Sequence, residues 1–301
     1  MRITPNITSQ NSLYNIQRAR TLLDSINEKI SSGNNYNRPS DDPVATRLLT
    51  GMADRMRASD QYQSNITKAN VWLNVTNTAI TGMSATMKEV KSLVSTISSG
   101  VTDMTVRDNA VSQLQVLKQQ LVDMGNTQLN GVYIFNGTAG TGTVPFNGTT
   151  YNGNDTDMQV EVDANSVQAM NITGGILLKG TNAAPHTYGS VDILQTFDDL
   201  ISTLTTNPSD VAAIQAAANN FEDGANQINS AQVDLSIRLD RLDVMKSIHT
   251  NQKNAMQTVV SNVQTADYAK LAVELQQQQT AFQATLSATA RISQLSLLDY
   301  L

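Results

Sequence analysis

The chain has no cysteine, a single tryptophan, few aromatic residues and little charge, and each shortage excludes something. Without cysteine there are no disulfides and no thiolate metal sites. Charged residues make up 15% of the 301 positions, well below the usual quarter, and aromatics only 5%. A core must therefore be built mainly from Leu, Ile, Val, Met and Ala, which suits long helices packed side by side better than one compact globule. The net charge of −6 and the pI near 4.9 leave no basic face for nucleic acid. No block of five like charges occurs, so an anionic membrane surface is an equally poor partner. No run of 18 apolar residues is present, and no transmembrane helix is expected. The opening Met1-Arg2-Ile3-Thr4-Pro5-Asn6 lacks the apolar segment of a cleaved secretory signal.

What the chain does have is heptad spacing. Ile16, Ala19, Leu23, Ile26 and Ile30 fall at steps of 3, 4, 3 and 4 in a predicted first helix over about Thr8–Ile30. So narrow a stripe on a helix of this length is marginal alone and calls for a partner. Ser31-Ser32-Gly33 reads as its end, with Gly33 as a left-handed cap. The turn-rich connection Asn34–Pro43 then closes on a helix start, with Asp42 as N-cap and Pro43 at the first helical position.

The second helix is the strongest signal. From Pro43 to about Ser98 there is no interior proline, and steps of 4 and 3 give Leu48, Met52, Arg55, Ser59, Tyr62, Ile66, Ala69, Leu73, Thr76, Ile80, Met83, Met87, Val90, Val94 and Ile97. Only Arg55, Ser59 and Thr76 break the apolar series. A repeat sustained this long implies a supercoil with neighbouring helices, along a rod of roughly 80 Å. A third helix, about Thr105–Gln128, repeats the spacing at Val106, Ala110, Leu114, Leu117, Leu121 and Met124, and should fold back on the second as an antiparallel hairpin.

Composition changes at Asn130-Gly131. Val132–Phe135 reads as β, a glycine-rich stretch follows to Gly153, and Met158–Val162 alternates, with shorter apolar runs at Met170–Ile172 and Ile176–Leu178. Helical pattern returns over Val191–Thr205, restarts after Asn207-Pro208-Ser209-Asp210, and ends in a segment over Asp267–Leu297 carrying Leu271, Leu275, Phe282 and Leu286. The expected fold class is mainly α with a small β insert, a long helical hairpin or coiled-coil bundle formed by the N- and C-terminal segments. The domains are read as terminal helices 1–42 and 265–301, a helical bundle of 43–130 and 190–264, and a β-rich module of 131–189, too small for a thick core of its own.

Two marginal amphipathic helices at opposite ends are expected to pair with each other. Leu13, Leu22, Leu295, Leu297 and Leu298 lie outside that seam, where further copies of the molecule could cover them. A stripe of this kind also serves as plain intramolecular core.

The loop Asn37-Arg38-Pro39-Ser40-Asp41-Asp42-Pro43, placed just after an N-terminal helix ending in Ser-Ser-Gly, resembles the signature of the bacterial flagellar hook-filament junction proteins, a branch of the flagellin family. Gly131–Gly137 resembles the entry to that family's β region. Asp267-Tyr268-Ala269 with the Gln- and Ala-rich helix after it resembles the family's C-terminal helix, and the ending Ser296–Leu301 is closer to junction proteins than to flagellin. The resemblance covers roughly 1–137 and 225–301, and within 131–189 it extends only over the first strand.

The resemblance implies a flagellin-like fold and a structural subunit without catalysis or cofactor. It implies a homo-oligomeric ring between the first hook-associated protein (FlgK) and the flagellin filament, outside the cell. Export would run through the flagellar type III apparatus without a cleaved signal, with a FlgN-like chaperone guarding the C-terminal helix. Ile16, Leu23, Ile26, Ile30, Leu271, Leu275, Phe282, Leu286, Leu297 and Leu298 would form the assembly coiled coil, an inner layer with the helical hairpin and then the β module outside it. Flagellin itself is the alternative reading, and a coiled-coil signalling or adhesin protein a more distant one.

Catalytic readings are weak. Asp41-Asp42 has no nearby His or Cys and reads as turn and N-cap. His186 and His249 form no ligand spacing and read as solvated. Gly137–Gly142 lacks the lysine and following helix of a phosphate loop and reads as a hairpin loop. Trp72 reads as interhelix packing, and the three Asn-x-Thr sequons at Asn136, Asn147 and Asn171 as chance. Gln276–Gln279 fits interhelical amide contacts and a water-facing stripe equally well.

Overall fold

The computed structural model describes residues 5–98, 104–139, 142–181 and 187–298. The elements in chain order are α1 (Pro5–Ser32), α2 (Pro43–Ser98), α3 (Met104–Gly125), β1 (Gln128–Leu129), β2 (Val132–Tyr133), β3 (Phe146–Asn147), β4 (Thr150–Tyr151), β5 (Gln159–Asp163), β6 (Ser166–Ala169), α4 (Gly174–Leu178), α5 (Ile193–Thr206), α6 (Val211–Gln264) and α7 (Tyr268–Leu298). Mainly helical with small antiparallel sheets, this is the fold class the hydrophobic spacing predicts. Contacts divide the chain into two units, Met1–Ala58 with Asn251–Leu301, and Ser59–Thr250, so that α2 and α6 each contribute to both.

The first unit is thin. α1 packs along α7, yet Ala45, Ala266 and Leu271 are its only fully buried apolar side chains among the described residues. The second unit holds the core. On α2 the heptad positions from Ile66 through Ile97 are all buried. Thr76, one polar exception, satisfies its hydroxyl on the carbonyl of Trp72 at 2.9 Å. Arg55 is exposed and Ser59 is buried, its hydroxyl donating to the His249 carbonyl at 3.4 Å.

α2 and α6 run antiparallel in one constant register. Asn70 pairs with Asp243, Gln232 with Thr81, Ser84 with Asn229, and Lys91 with Glu222. α3 folds back on α2, with Gly82 against Met124 near one end and Ile97 beside Val106 and Ala110 near the other. α5 packs on α3, and Phe197 meets Phe221 of α6 edge-on at 4.8 Å.

The segment between α3 and α5 differs from a single β module. It makes three separate two-stranded hairpins, β1–β2, β3–β4 and β5–β6. α3 ends at Gly125, three residues short of the Gln128 expected from sequence, because the Asn126 amide turns away to grip the main chain of Phe146, donating to its carbonyl and accepting from its N–H, both at 2.9 Å. The chain then forms β1, and Asn130 (φ 52°) and Gly131 (φ 80°) make the two-residue turn into β2. Only Val132–Tyr133 of the expected β run is strand. Ile134 and Phe135 leave it and are wholly buried. Ile176–Leu178, read as part of a β module, lies in the short helix α4, and all three side chains enter the core.

Hairpins this short cannot hold themselves together, and side chains reach out from the long helices to the main chain of this segment, on β5 and on the connections after β6 and after α4. The α6 amide of Gln227 donates to the carbonyls of Leu177 (2.9 Å) and Val191 (3.1 Å) and accepts from the N–H of Val191 (3.1 Å). Arg238, also buried, donates to the carbonyl of Asn171 (2.8 Å) and pairs with Asp234 at 2.6 Å. Asn65 donates to Glu161. His249 is not solvated. It is 3% exposed, its Nε2 lies 2.7 Å from the carbonyl of Val162, and its ring packs on Tyr62. The reason is local: β5 needs a polar side chain to meet a buried carbonyl. His186 lies outside the described residues.

Candidate assembly interface

The first unit turns on a corner where two connections are laced together. α1 ends at Gly33, whose φ of 72° places it in the left-handed region and whose N–H closes on the carbonyl of Lys29 at 3.0 Å. Gly33 and Asn35 then reach across to the α6–α7 connection. Asn35 N–H donates to the carbonyl of Gln264 (2.7 Å), Ala266 N–H to that of Gly33 (3.0 Å), and Asn34 bridges Thr265. The phenol oxygen of Tyr268 lies so close to Gly33 that a Cβ there would approach it to 2.9 Å. A side chain at this position would face both backbone strain and that contact.

The signature loop organises itself around two aspartates with distinct duties. The Asp41 carboxylate accepts from the N–H groups of Asn37 (3.2 Å) and Arg38 (3.0 Å), closing the Asn37-Arg38-Pro39-Ser40-Asp41 turn. Asp42 caps α2, accepting from Val44 and Ala45 at 2.9 Å each, and Pro43 takes the first helical position. Asp267 repeats the device for α7 through Ala269 (3.0 Å) and Lys270 (3.1 Å). Arg38 reaches Glu28 of α1 at 3.5 Å, an exposed pair. Neither Asp41 nor Asp42 has catalytic company.

Ile16, Leu23, Ile26 and Ile30 on α1, and Leu275 and Phe282 on α7, are half-buried, while Leu271 is buried and Leu286 is 42% exposed. Leu297 and the last helical residue, Leu298, have side chains outside the described residues. Leu13, Leu22, Tyr14 and Val273 are exposed between 48% and 62%. The pair therefore buries one narrow seam and leaves a second set of apolar residues in water. Of the glutamine run, Gln278 alone turns inward, donating to the carbonyl of Ala19 at 3.2 Å, and Gln276, Gln277 and Gln279 are exposed. Nothing in the sequence distinguished Gln278 from its neighbours.

Elsewhere the molecule offers little chemistry. Among the described residues no group of three or more His, Asp or Glu is placed to hold a metal ion. The groove between α2 and α3, about 420 Å³, is lined by Glu89, Leu93, Ser112, Gln113, Val116, Leu117 and Gln120, with one carboxylate and no second titratable group.

Comparison with known proteins gives a consistent picture. Residues 3–140 match the bacterial flagellin N-terminal helical region. Flagellar hook-associated protein 3 of Salmonella typhimurium is 22% identical over 99% of this chain and 98% of its own length. Flagellin of Bacillus subtilis is 22% identical over 98% and 97% of the two chains. The crystal structure of the flagellar junction protein FlgL from Legionella pneumophila shares the fold, with a TM-score of 0.58 at 16% identity over 72% of this chain and 99% of that one. Residues 3–140 are thus similar to the bacterial flagellin N-terminal helical region, and the chain as a whole is similar to flagellar hook-associated protein 3.

Proposed function

We propose that this protein is a structural subunit of the bacterial flagellum that forms a homo-oligomeric junction ring between the hook, through FlgK, and the flagellin filament. The observation that carries the reading is the end-to-end similarity to hook-associated protein 3. The terminal pair adds physical support. α1 and α7 meet along one seam and still expose Leu13, Leu22 and Val273, and a helix pair with apolar residues left in water gains by packing against further copies. The terminal helices are the assembly element in this reading, and the hairpin-bearing segment is the part turned outward. No step requires a catalyst or a cofactor. Export runs through the flagellar type III route, with a FlgN-like chaperone covering α7 beforehand. Ends that order fully only on docking bear that entropy cost at assembly.

Deletion of the gene tests the reading, with electron microscopy of the cells and an immunoblot of the medium for flagellin. Hooks without filaments, together with flagellin shed into the medium, are expected. Similarity to flagellin over a comparable length supports a second reading, the filament subunit itself. That reading predicts hooks without filaments and no flagellin antigen anywhere. Normal filaments would refute both.

A further inference from the structure

All four Asn-Gly pairs of the chain fall within residues 130–153, among the hairpins. Asparagine before glycine is the pair most open to ring closure. The main-chain nitrogen of the glycine attacks the side-chain amide carbon, and no Cβ on the glycine stands in the way. Reaction at a given pair depends on how firmly the amide and the following nitrogen are held, and three of the four are held.

Asn136 is 2% exposed, and its Nδ2 donates to the carbonyls of Ala139 (3.2 Å) and Thr143 (3.3 Å). Gly137 after it is pressed against the carbonyl of Asn154. Asn152 donates from its main chain to the Pro145 carbonyl (2.8 Å) and from Nδ2 to that of Val144 (3.3 Å). The hydroxyl of Tyr151 and Oδ1 of Asn136 close in on Gly153. Asn130 is exposed, but its φ of 52° places it in the left-handed region. There the next nitrogen stands nearly anti to the side chain, and no five-membered ring can close. Asn147 has none of these restraints. It is exposed at the end of β3, and its side chain makes no hydrogen bond among the described residues. Nothing lies within 4 Å of where a Cβ on Gly148 would be. From an extended strand, the rotation that brings the Gly148 nitrogen to the amide carbon starts through permitted backbone space. A hairpin of two residue pairs opens readily.

We propose that Asn147 is a site of spontaneous imide formation, through which the β3–β4 hairpin is converted with time. The Gly148 nitrogen gives up its proton to solvent and bonds to Cγ of Asn147. The Cγ–Nδ2 bond breaks, and ammonia leaves with a proton taken back from solvent. Water then opens the ring. Opening at Cγ leaves aspartate, while opening at the main-chain carbonyl leaves isoaspartate, whose main chain runs through Cβ. Either product adds a negative charge. Isoaspartate also lengthens the main chain between Phe146 and Gly148, so position 147 cannot keep its register with Thr150 while Asn126 still grips Phe146. The chemistry needs only water and is independent of what the protein assembles with.

The full chain, aged in mildly alkaline buffer both folded and in urea, tests this by peptide mapping with fragmentation that separates isoaspartate from aspartate. In the folded chain Asn147 should convert at least about tenfold faster than Asn136 and Asn152, whose hydrogen bonds must first open, and faster than Asn130. In urea the four rates should converge. Isoelectric focusing of the aged folded chain should show a growing acidic band that Asn147→Gln lacks. Any of four results would overturn the inference: another of the four pairs matching Asn147 in the folded chain, a preference for Asn147 undiminished in urea, Asn147 intact while the urea sample reacts, or an acidic band that Asn147→Gln retains in full.

Discussion

Replacing Gln227 by leucine should be among the most damaging single changes available in the second unit. The residue is 1% exposed and its amide makes three bonds to main-chain groups of Leu177 and Val191. Leucine has a similar volume, so packing changes little. The loss is the hydrogen bonds, at about 1 kcal/mol net each, plus the desolvation of a Val191 N–H that has nowhere else to turn, about 1–3 kcal/mol. The sum is roughly 4–6 kcal/mol, a large part of a typical domain's stability. Trp72 is the chain's one tryptophan and lies in the same unit, so its fluorescence in a urea titration reports that unit without mixing in the terminal helices. Hydrogen exchange should accelerate over 174–178 and 190–193 first. Gln227→Glu adds a sign. Its carboxylate still accepts from Val191, yet it opposes two carbonyl oxygens. Burial among acceptors raises its pKa, so stability is present at low pH and lost as pH rises. A Gln227→Leu midpoint shift worth less than about 1 kcal/mol, with exchange unchanged, would mean that water replaces the amide and would refute the reasoning.

Three further outcomes are expected. Gly82→Ala should be neutral or stabilising by up to about 1 kcal/mol through helix propensity, because the added Cβ meets only the thioether of Met124. Gly125→Ala should cost about 1–3 kcal/mol, because its Cβ would lie 2.7 Å from the ring of Phe146, whose main chain Asn126 holds fast; equal thermal shifts for the two would sink the contrast. Tyr151 and Tyr188 should titrate well above an ordinary phenol, since burial raises both, aided by Asp155 beside the first and the hydrogen bond to Asp234 on the second. Their stabilisation is complete below pH about 10 and is lost above it, so Tyr151→Phe and Tyr188→Phe should each remove amplitude from the latest alkaline absorbance step. Deleting 271–301 should leave Trp72 fluorescence and its urea midpoint unchanged while abolishing incorporation into flagella; a truncated chain that still assembles would contradict the role given to α7.

Legibility in the sequence follows the length of the periodic signal. α2 shows its seam because a dozen apolar residues repeat the same step, and the caps at Asp42 and Gly33 follow from a few local atoms. The hairpins are opaque for the converse reason. The strands are short, β2 and β3 two residues each, and what holds the segment is Gln227 at Leu177 and Val191, Arg238 at Asn171, and Asn65 and His249 at β5, polar residues of distant helices with nothing periodic about them. His249 reads as solvated until Val162 is seen to need a partner. Ile176–Leu178 has a strand's composition, and only its burial beneath α6 makes it a helix. At the corner, Asp267 announces α7, but the lacing of Gly33 to Ala266 is main chain to main chain and carries no side-chain signature.

The pairing of α1 with α7 also sets an order of events. α1 closes at Ser32 and its partner opens at Tyr268, more than two hundred residues later. At ~5–20 residues per second of synthesis, the first helix waits at least about ten seconds for its partner to exist. Over that interval it is a marginal, half-apolar segment on its own. The earliest part of the chain to be made is therefore among the last to gain structure, and anything that must engage it unfolded has the whole span of synthesis in which to do so.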